Sequence, residues 1–126
     1  MTACILLVDD DADIRSTMGF ALQSEGHTVR LAANGLEALE VLDALASAER
    51  PRVILLDLTM PLMNGFEFRK AQLARADLAS IPVLILSGDG NVAKKATTLG
   101  SVGYLQKPVD LGELLQTVER YCPCAA

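Results

Sequence analysis

The sequence predicts an α/β fold, a doubly wound five-stranded parallel sheet with five helices packed on its two faces. Three observations predict it. Five short runs rich in Val, Ile and Leu recur along the chain, at Ile5–Val8, Val29–Leu31, Val53–Leu56, Val83–Leu86 and Val102–Leu105. Most of them do not alternate with polar residues, the pattern of strands buried on both faces. Stretches at helical spacing separate the runs, so strand and helix alternate and the crossovers are right-handed. At 126 residues the chain holds five such units as one domain, 1–126, and is about half as long as a closed eight-fold barrel requires.

Each element has its own signal. After the first run, Ile14, Met18, Ala21, Leu22 and Glu25 lie at helical spacing, and Gly26 can end that helix in a left-handed conformation. The second run, within HTVRLA, alternates and reads as an edge strand. Asn34 followed by Glu37 resembles an N-cap with a reaching carboxylate, and Leu39, Leu42, Leu45 and Ala46 form one stripe behind it. Phe66 to Ala76 is the third helix, and Asn91 to Leu99 a weak fourth, stopped by Gly100. Asp110 caps a fifth, with Leu111, Leu114, Leu115 and Val118 inward. Five units of this kind fit the flavodoxin-like strand order 2-1-3-4-5.

Composition removes several classes of function. Hydrophobic residues are 51% of the chain and charged residues 21%, enough to build a core. Sixteen acids against 11 bases leave a net charge of −5, where a nucleic-acid binder needs a basic face. No apolar run reaches the ~18 residues of a membrane span. The start, MTACILLVDDD, lacks the basic segment of a secretion signal, and three cysteines then point to thiols in a reducing cytoplasm. Cys4 reads as a core thiol. Cys122 and Cys124 lie in a tail, 122–126, read as flexible and without the four ligands of a metal site. His27, the sole histidine, follows Gly26 at the mouth of a strand and reads as a structural or surface residue.

Ligands of such sheets bind at the carboxyl ends of the strands, near the switch point between strands 1 and 3. Asp9, Asp10 and Asp11 follow the first strand, Asp57 the third, Ser87 the fourth, and Lys107 with Pro108 the fifth. Strand 2, outside the switch point, ends in Ala32 and Ala33. Asp11 and Asp13 fit a helix N-terminus. Asp9, Asp10 and Asp57 carry three negative charges that Lys107 alone does not balance. Two carboxylates about 4–5 Å apart repel by roughly 3–4 kcal/mol at an effective dielectric near 20. A divalent cation brings the sum to zero, and hard oxygen donors without His or Cys favour Mg²⁺, with coordination left for a phosphoryl group.

The motifs LLVDDD, LLDLTMPLMNG, LILSGDG and GYLQKPVD stand in order at these strand ends. At these residues the sequence resembles the receiver domain of two-component response regulators, over essentially its whole length. The resemblance implies that Asp57 accepts a phosphoryl group from a phosphohistidine of a sensor histidine kinase or phosphotransfer protein. It implies a Mg²⁺ site of Asp9, Asp10, Asp57 and the Thr59 backbone carbonyl, with Asp10 binding directly and Asp9 largely through water. Ser87 would hydrogen-bond one phosphoryl oxygen and Lys107 pair with another, and the Lys107–Pro108 bond would be cis. Met60, Pro61 and Gly65 match the loop after the acceptor. As a switch, Ser87 would move towards the phosphoryl group and Tyr104 rotate into the space left. The face of helix 4, strand 5 and helix 5, with Lys94, Lys95, Gln106 and Val109, would then meet a downstream protein, as a monomer or a phosphorylation-dependent dimer. Ile14 and Val109 are candidates for kinase docking. Thr59 and Asp89 would overlook the path of attacking water, and Gly88 and Gly90 would loosen their loop. Asn64 stands where many receivers have Asp and, with Gly65, reads as a tight turn.

The expected function is a stand-alone phosphorylation-switched binding module that catalyses only its own phosphorylation and autodephosphorylation. Excision from a larger regulator or hybrid kinase is the alternative. A Mg²⁺-dependent aspartyl-phosphate hydrolase would use the same residues, but such enzymes carry a second acid two residues after the nucleophile, where Thr59 stands. A flavin carrier on this fold would want a hydroxyl-rich phosphate loop after strand 1, in place of three acids.

Overall fold

The computed structural model describes residues 4–88 and 91–122. The expectations for the Cys4 thiol, for Asp89 and Gly90, and for residues 123–126 with Cys124 lie outside that description.

The elements run β1 (Cys4–Val8), α1 (Ala12–Ser24), β2 (Thr28–Ala32), α2 (Gly35–Ala44), a 3₁₀ turn (Ser47–Glu49), β3 (Val53–Asp57), α3 (Gly65–Leu73), β4 (Val83–Ser87), α4 (Val92–Thr98), β5 (Gly103–Gln106) and α5 (Leu111–Glu119). All strand pairs are parallel and the order is β2-β1-β3-β4-β5, the flavodoxin-like order. β3 and β4 are buried at every position, as continuous apolar runs require. Their alternate residues feed opposite faces. Ile54, Leu56, Val83 and Ile85 pack with Phe68 of α3 and Ala96 of α4, while Val53, Leu55, Leu84 and Leu86 pack with Leu22 of α1 and Val118 of α5. Phe68 is fully buried, so truncation to alanine would cost about 3–5 kcal/mol. Among the described residues, no helix is long and apolar enough to cross a membrane.

Local signals explain the ends of the helices. Asp11 caps α1 by accepting from the N–H groups of Asp13 and Ile14, and Gly26 leaves the helix at φ 92°. Asn34 accepts from Glu37 N–H at 2.9 Å, and Glu37 reaches back one residue further, to Ala33 N–H. Asp110 caps α5 in the same way. His27, expected as a structural or surface residue, is buried.

Several expectations need correction. Asn64 does not make a simple turn: it is the N-cap of α3, in a reciprocal capping box with Glu67. α3 stops at Leu73, short of Ala76. α2 stops at Ala44 because Leu45 is extended, so Ala46 leaves the predicted stripe and is exposed. Leu111 points partly to solvent, at 38% exposure, because it opens α5 at the lip of a groove. Cys122 is fully buried against the α1–α5 side of the core, and its N–H donates to Val118 O, so the expected tail does not begin there.

One buried polar group was not foreseen. Arg69 and Gln72 of α3 are 7% and 0% exposed. Arg69 donates to Leu99 O at 2.9 Å, to Gly100 O at 3.0 Å and to Gln72 Oε1 at 2.8 Å. Gln72 donates in turn to Leu78 O and Ile81 O. Burial pushes the Arg69 pKa down from its ordinary value. The cluster fastens the C-terminal end of α4 and the loop before β4 to α3.

Candidate functional site

Parallel strands deliver their last residues to one edge. Asp9 follows β1 and is fully buried. Its N–H donates to Ala32 O at 3.0 Å, and its Oδ1 accepts from Asp11 N–H at 2.9 Å. Its Oδ2 lies 2.8 Å from Lys107 Nζ but has no aligned hydrogen bond. Asp57 ends β3 at 4% exposure, with Oδ1 3.4 Å from Lys107 Nζ and 3.4 Å from the Thr59 N–H nitrogen. Asp10 is exposed, yet it offers a carboxylate oxygen to a set in which those of Asp9, Asp10 and Asp57 lie within 4.8 Å of one another. Ser87 ends β4, beside Gln106 of β5, and its carbonyl accepts from Lys107 N–H at 2.8 Å. That bond places the lysine, and the Lys107–Pro108 peptide is cis.

The electrostatics follow from this crowding. Burial, and then the neighbouring Asp9 charge, raise the Asp57 pKa to about 6 against the pull of Lys107. Burial alone would lower the Lys107 pKa, but its close ion pair with Asp9 and the charge of Asp57 outweigh this and hold it above its ordinary value. Three carboxylates face one ammonium, and a buried oxygen without an aligned donor remains. These residues could hold a metal ion: the donors are hard oxygens, and Asp9 Oδ2 is a carboxylate oxygen of the kind that Mg²⁺ binds.

The loop after Asp57 is shaped around this corner. A Cβ at Gly65 would clash with Asp57 O, so only glycine lets α3 start so close to the end of β3. A Cβ at Gly35 would stand 2.6 Å from the Met63 side chain, and Gly35 N–H donates to Met63 O. Between these anchors Leu62 takes φ 66° and sits inside a Met63 N–H to Pro61 O bond of 2.7 Å, a strained γ-turn that leaves its side chain 79% exposed.

The structure thus brings Asp9, Asp10, Asp57 and Lys107 together and puts Ser87 beside Lys107. Asp11 and Asp13 serve the N-terminus of α1. Tyr104 lies on β5 across from Ile85, 46% exposed, and points away from the core. Ile14 and Val109 share one groove of about 360 Å³ with Met18, Lys107 and Pro108, next to the acidic corner. Reading the sequence missed Arg15, whose Nη1 donates to Asp9 O at 2.6 Å. A basic residue in the first turn of an otherwise acidic helix start was the available signal.

Comparison with known proteins agrees with this geometry. Residues 5–119 match the family model described as the response regulator receiver domain. The chain is 31% identical over 123 residues to sporulation initiation phosphotransferase F of Bacillus subtilis, covering 98% of this chain and 96% of that protein. It is 36% identical over 117 residues to the response regulator MprA of Mycobacterium ulcerans, covering 91% of this chain but only 48% of that protein. Among solved structures, the chemotaxis response regulator CheY4 of Vibrio cholerae superposes with a TM-score of 0.84 at 34% identity, covering 96% of this chain and 99% of that one. With strand order, acidic corner and family model in agreement, the chain belongs to the receiver domains of two-component response regulators.

Proposed function

We propose that Asp57 accepts a phosphoryl group from a phosphohistidine of a sensor histidine kinase or phosphotransfer protein, in a Mg²⁺-dependent reaction. The observation that carries this reading is the meeting of three carboxylates with Lys107 at one sheet edge. An Asp57 carboxylate oxygen attacks phosphorus, the bond from phosphorus to the imidazole nitrogen breaks, and the electron pair leaves with the imidazole. The product is an acyl phosphate, a labile mixed anhydride suited to a signal that must be erased. Asp9, Asp10, Asp57 and the Thr59 carbonyl would hold Mg²⁺, which supplies charge stabilisation for the equatorial phosphoryl oxygens. Lys107 pairs with one of those oxygens and Ser87 donates to another. Thr59, exposed beside the acceptor, flanks the route of hydrolytic water and bears on the lifetime of the loaded form.

Catalysis in this reading is confined to the chain's own phosphorylation and dephosphorylation. The phosphodonor docks at the Ile14–Val109 groove. Ser87 and Tyr104 carry the change to the α4–β5–α5 face, where a downstream protein binds, with the chain a monomer or a phosphorylation-dependent dimer in the cytoplasm. A stand-alone module and a receiver within a longer regulator both fit this reading, since the chain matches sporulation initiation phosphotransferase F and CheY4 over nearly their whole lengths and MprA over about half of its length.

Incubation with a small acyl-phosphate donor and Mg²⁺, followed by intact-mass measurement, tests the proposal. One phosphoryl group is expected on the unsubstituted protein and none on Asp57→Asn. Equal modification of both removes Asp57 as acceptor.

A further inference from the structure

We propose that Arg15 is a positioning residue for the cation-binding turn after β1, an inference that rests on the phosphoryl-transfer reading above. Arg15 lies in the first turn of α1 and reaches back six residues, so that Nη1 donates to Asp9 O at 2.6 Å. The rest of Asp9 is already held: its N–H by Ala32, its Oδ1 by Asp11, its Oδ2 by the Lys107 charge. The carbonyl is the remaining handle, and it belongs to the peptide that joins Asp9 to Asp10. Holding it sets the rotation of that peptide and therefore the direction in which Asp10 leaves the strand. Among the described residues, no hydrogen bond orients the Asp10 carboxylate itself, so its aim is inherited from this backbone. Outer groups of this kind commonly tune metal affinity by holding the ligands in place.

The location of the charge argues the same way. A cation at a helix N-terminus opposes the helix dipole, and the other charged residue in this first turn is the acid Asp13. A guanidinium there loses favourable helix electrostatics and makes one very short bond to the metal turn instead. Position and charge also have opposite signs in this role. As a bare charge, Arg15 repels an incoming divalent cation, and its removal would tighten binding. As a positioning group, its removal loosens the turn and weakens binding.

Mg²⁺ titration of the full unphosphorylated chain, followed by amide chemical shifts, separates the two. Arg15→Gln and Arg15→Ala are expected to weaken Mg²⁺ binding about tenfold. Arg15→Lys, which keeps the charge but not the planar fork, should fall between them and the unsubstituted chain. Binding by Arg15→Gln equal to or tighter than that of the unsubstituted protein overturns the proposal. Should either truncation disturb amide shifts throughout the sheet, Arg15→Lys decides alone: unchanged affinity overturns the role, weaker affinity supports it. Failure of the unsubstituted chain to bind Mg²⁺ at all defeats the underlying reading and Arg15 with it, which is a different result from a variant that binds normally.

Discussion

The molecule buries polar side chains at two corners and treats them in opposite ways. At the C-terminal end of α4, the Arg69 guanidinium and the Gln72 amide share five hydrogen bonds, four of them to backbone carbonyls of Leu78, Ile81, Leu99 and Gly100. Each donor nitrogen of the pair has an acceptor, and the cluster closes on itself. At the carboxyl edge of the sheet, three carboxylates offer oxygens within 4.8 Å of one another, two of them paired with one lysine, and Asp9 Oδ2 lacks an aligned hydrogen bond. A satisfied network holds structure; an unbalanced one is a candidate to take up charge from outside. The difference separates a structural corner from a chemical one without reference to any relative.

Three measurements sharpen this contrast. Arg69→Ala leaves Gln72 Oε1 and two carbonyls without their donor and opens a gap in the core. A loss of about 3 kcal/mol is expected in urea unfolding, with phosphoryl acceptance retained by the folded fraction. A neutral result would mean that water repairs the corner. The second substitution should act in the opposite direction. The folded-state Asp57 pKa of about 6 stands above its ordinary 3.8, so folding takes up a proton between these values. Ionised Asp57 therefore weakens the metal-free fold fully above pH 6, and the penalty fades as pH falls through 6 towards 4. Asp57→Asn should raise the stability of the metal-free protein by about 2 kcal/mol at pH 7.5, and by only a small part of that near pH 4. A gain independent of pH would exclude charge as its cause. The smallest effect is expected between the two corners: Asn64→Ala removes the capping box of α3, for a loss of about 1 kcal/mol that does not vary between pH 5 and 8.

What could be read in the sequence follows the same division. Asp9, Asp57 and Ser87 are legible because a buried parallel strand is a continuous apolar run, and the first polar residue after it must lie at the edge; Lys107 follows the fifth run one residue later, after Gln106. The order of the strands then brings those residues together. Arg69 and Gln72 were not legible, since Arg and Gln on a helix ordinarily mark its solvent face, and the end of α4 and the loop before β4 fold over them. Arg15 was hidden by range, because a contact from a helix back to the preceding strand leaves no periodicity. Asn64 looked like a turn because Asn-Gly is also a turn signal, and Glu67, three residues on, was the discriminating residue. Cys122 looked like tail because it sits in C-P-C near the end, whereas the last turn carries it under α5 into the core.

The two glycines around the loop after Asp57 give the domain a mechanical bias. Gly35 locks Met63 against the start of α2, and Gly65 locks α3 against the end of β3. On that flank, backbone meets backbone or a wedged side chain with no slack. On the other flank, Ser87 is followed by the exposed Gly88, and β5 has an open outer edge carrying a half-exposed tyrosine. If Asp57 carries a phosphoryl group as proposed, the strain it brings meets a clamped flank on the α2–α3 side and an open one at β4 and β5.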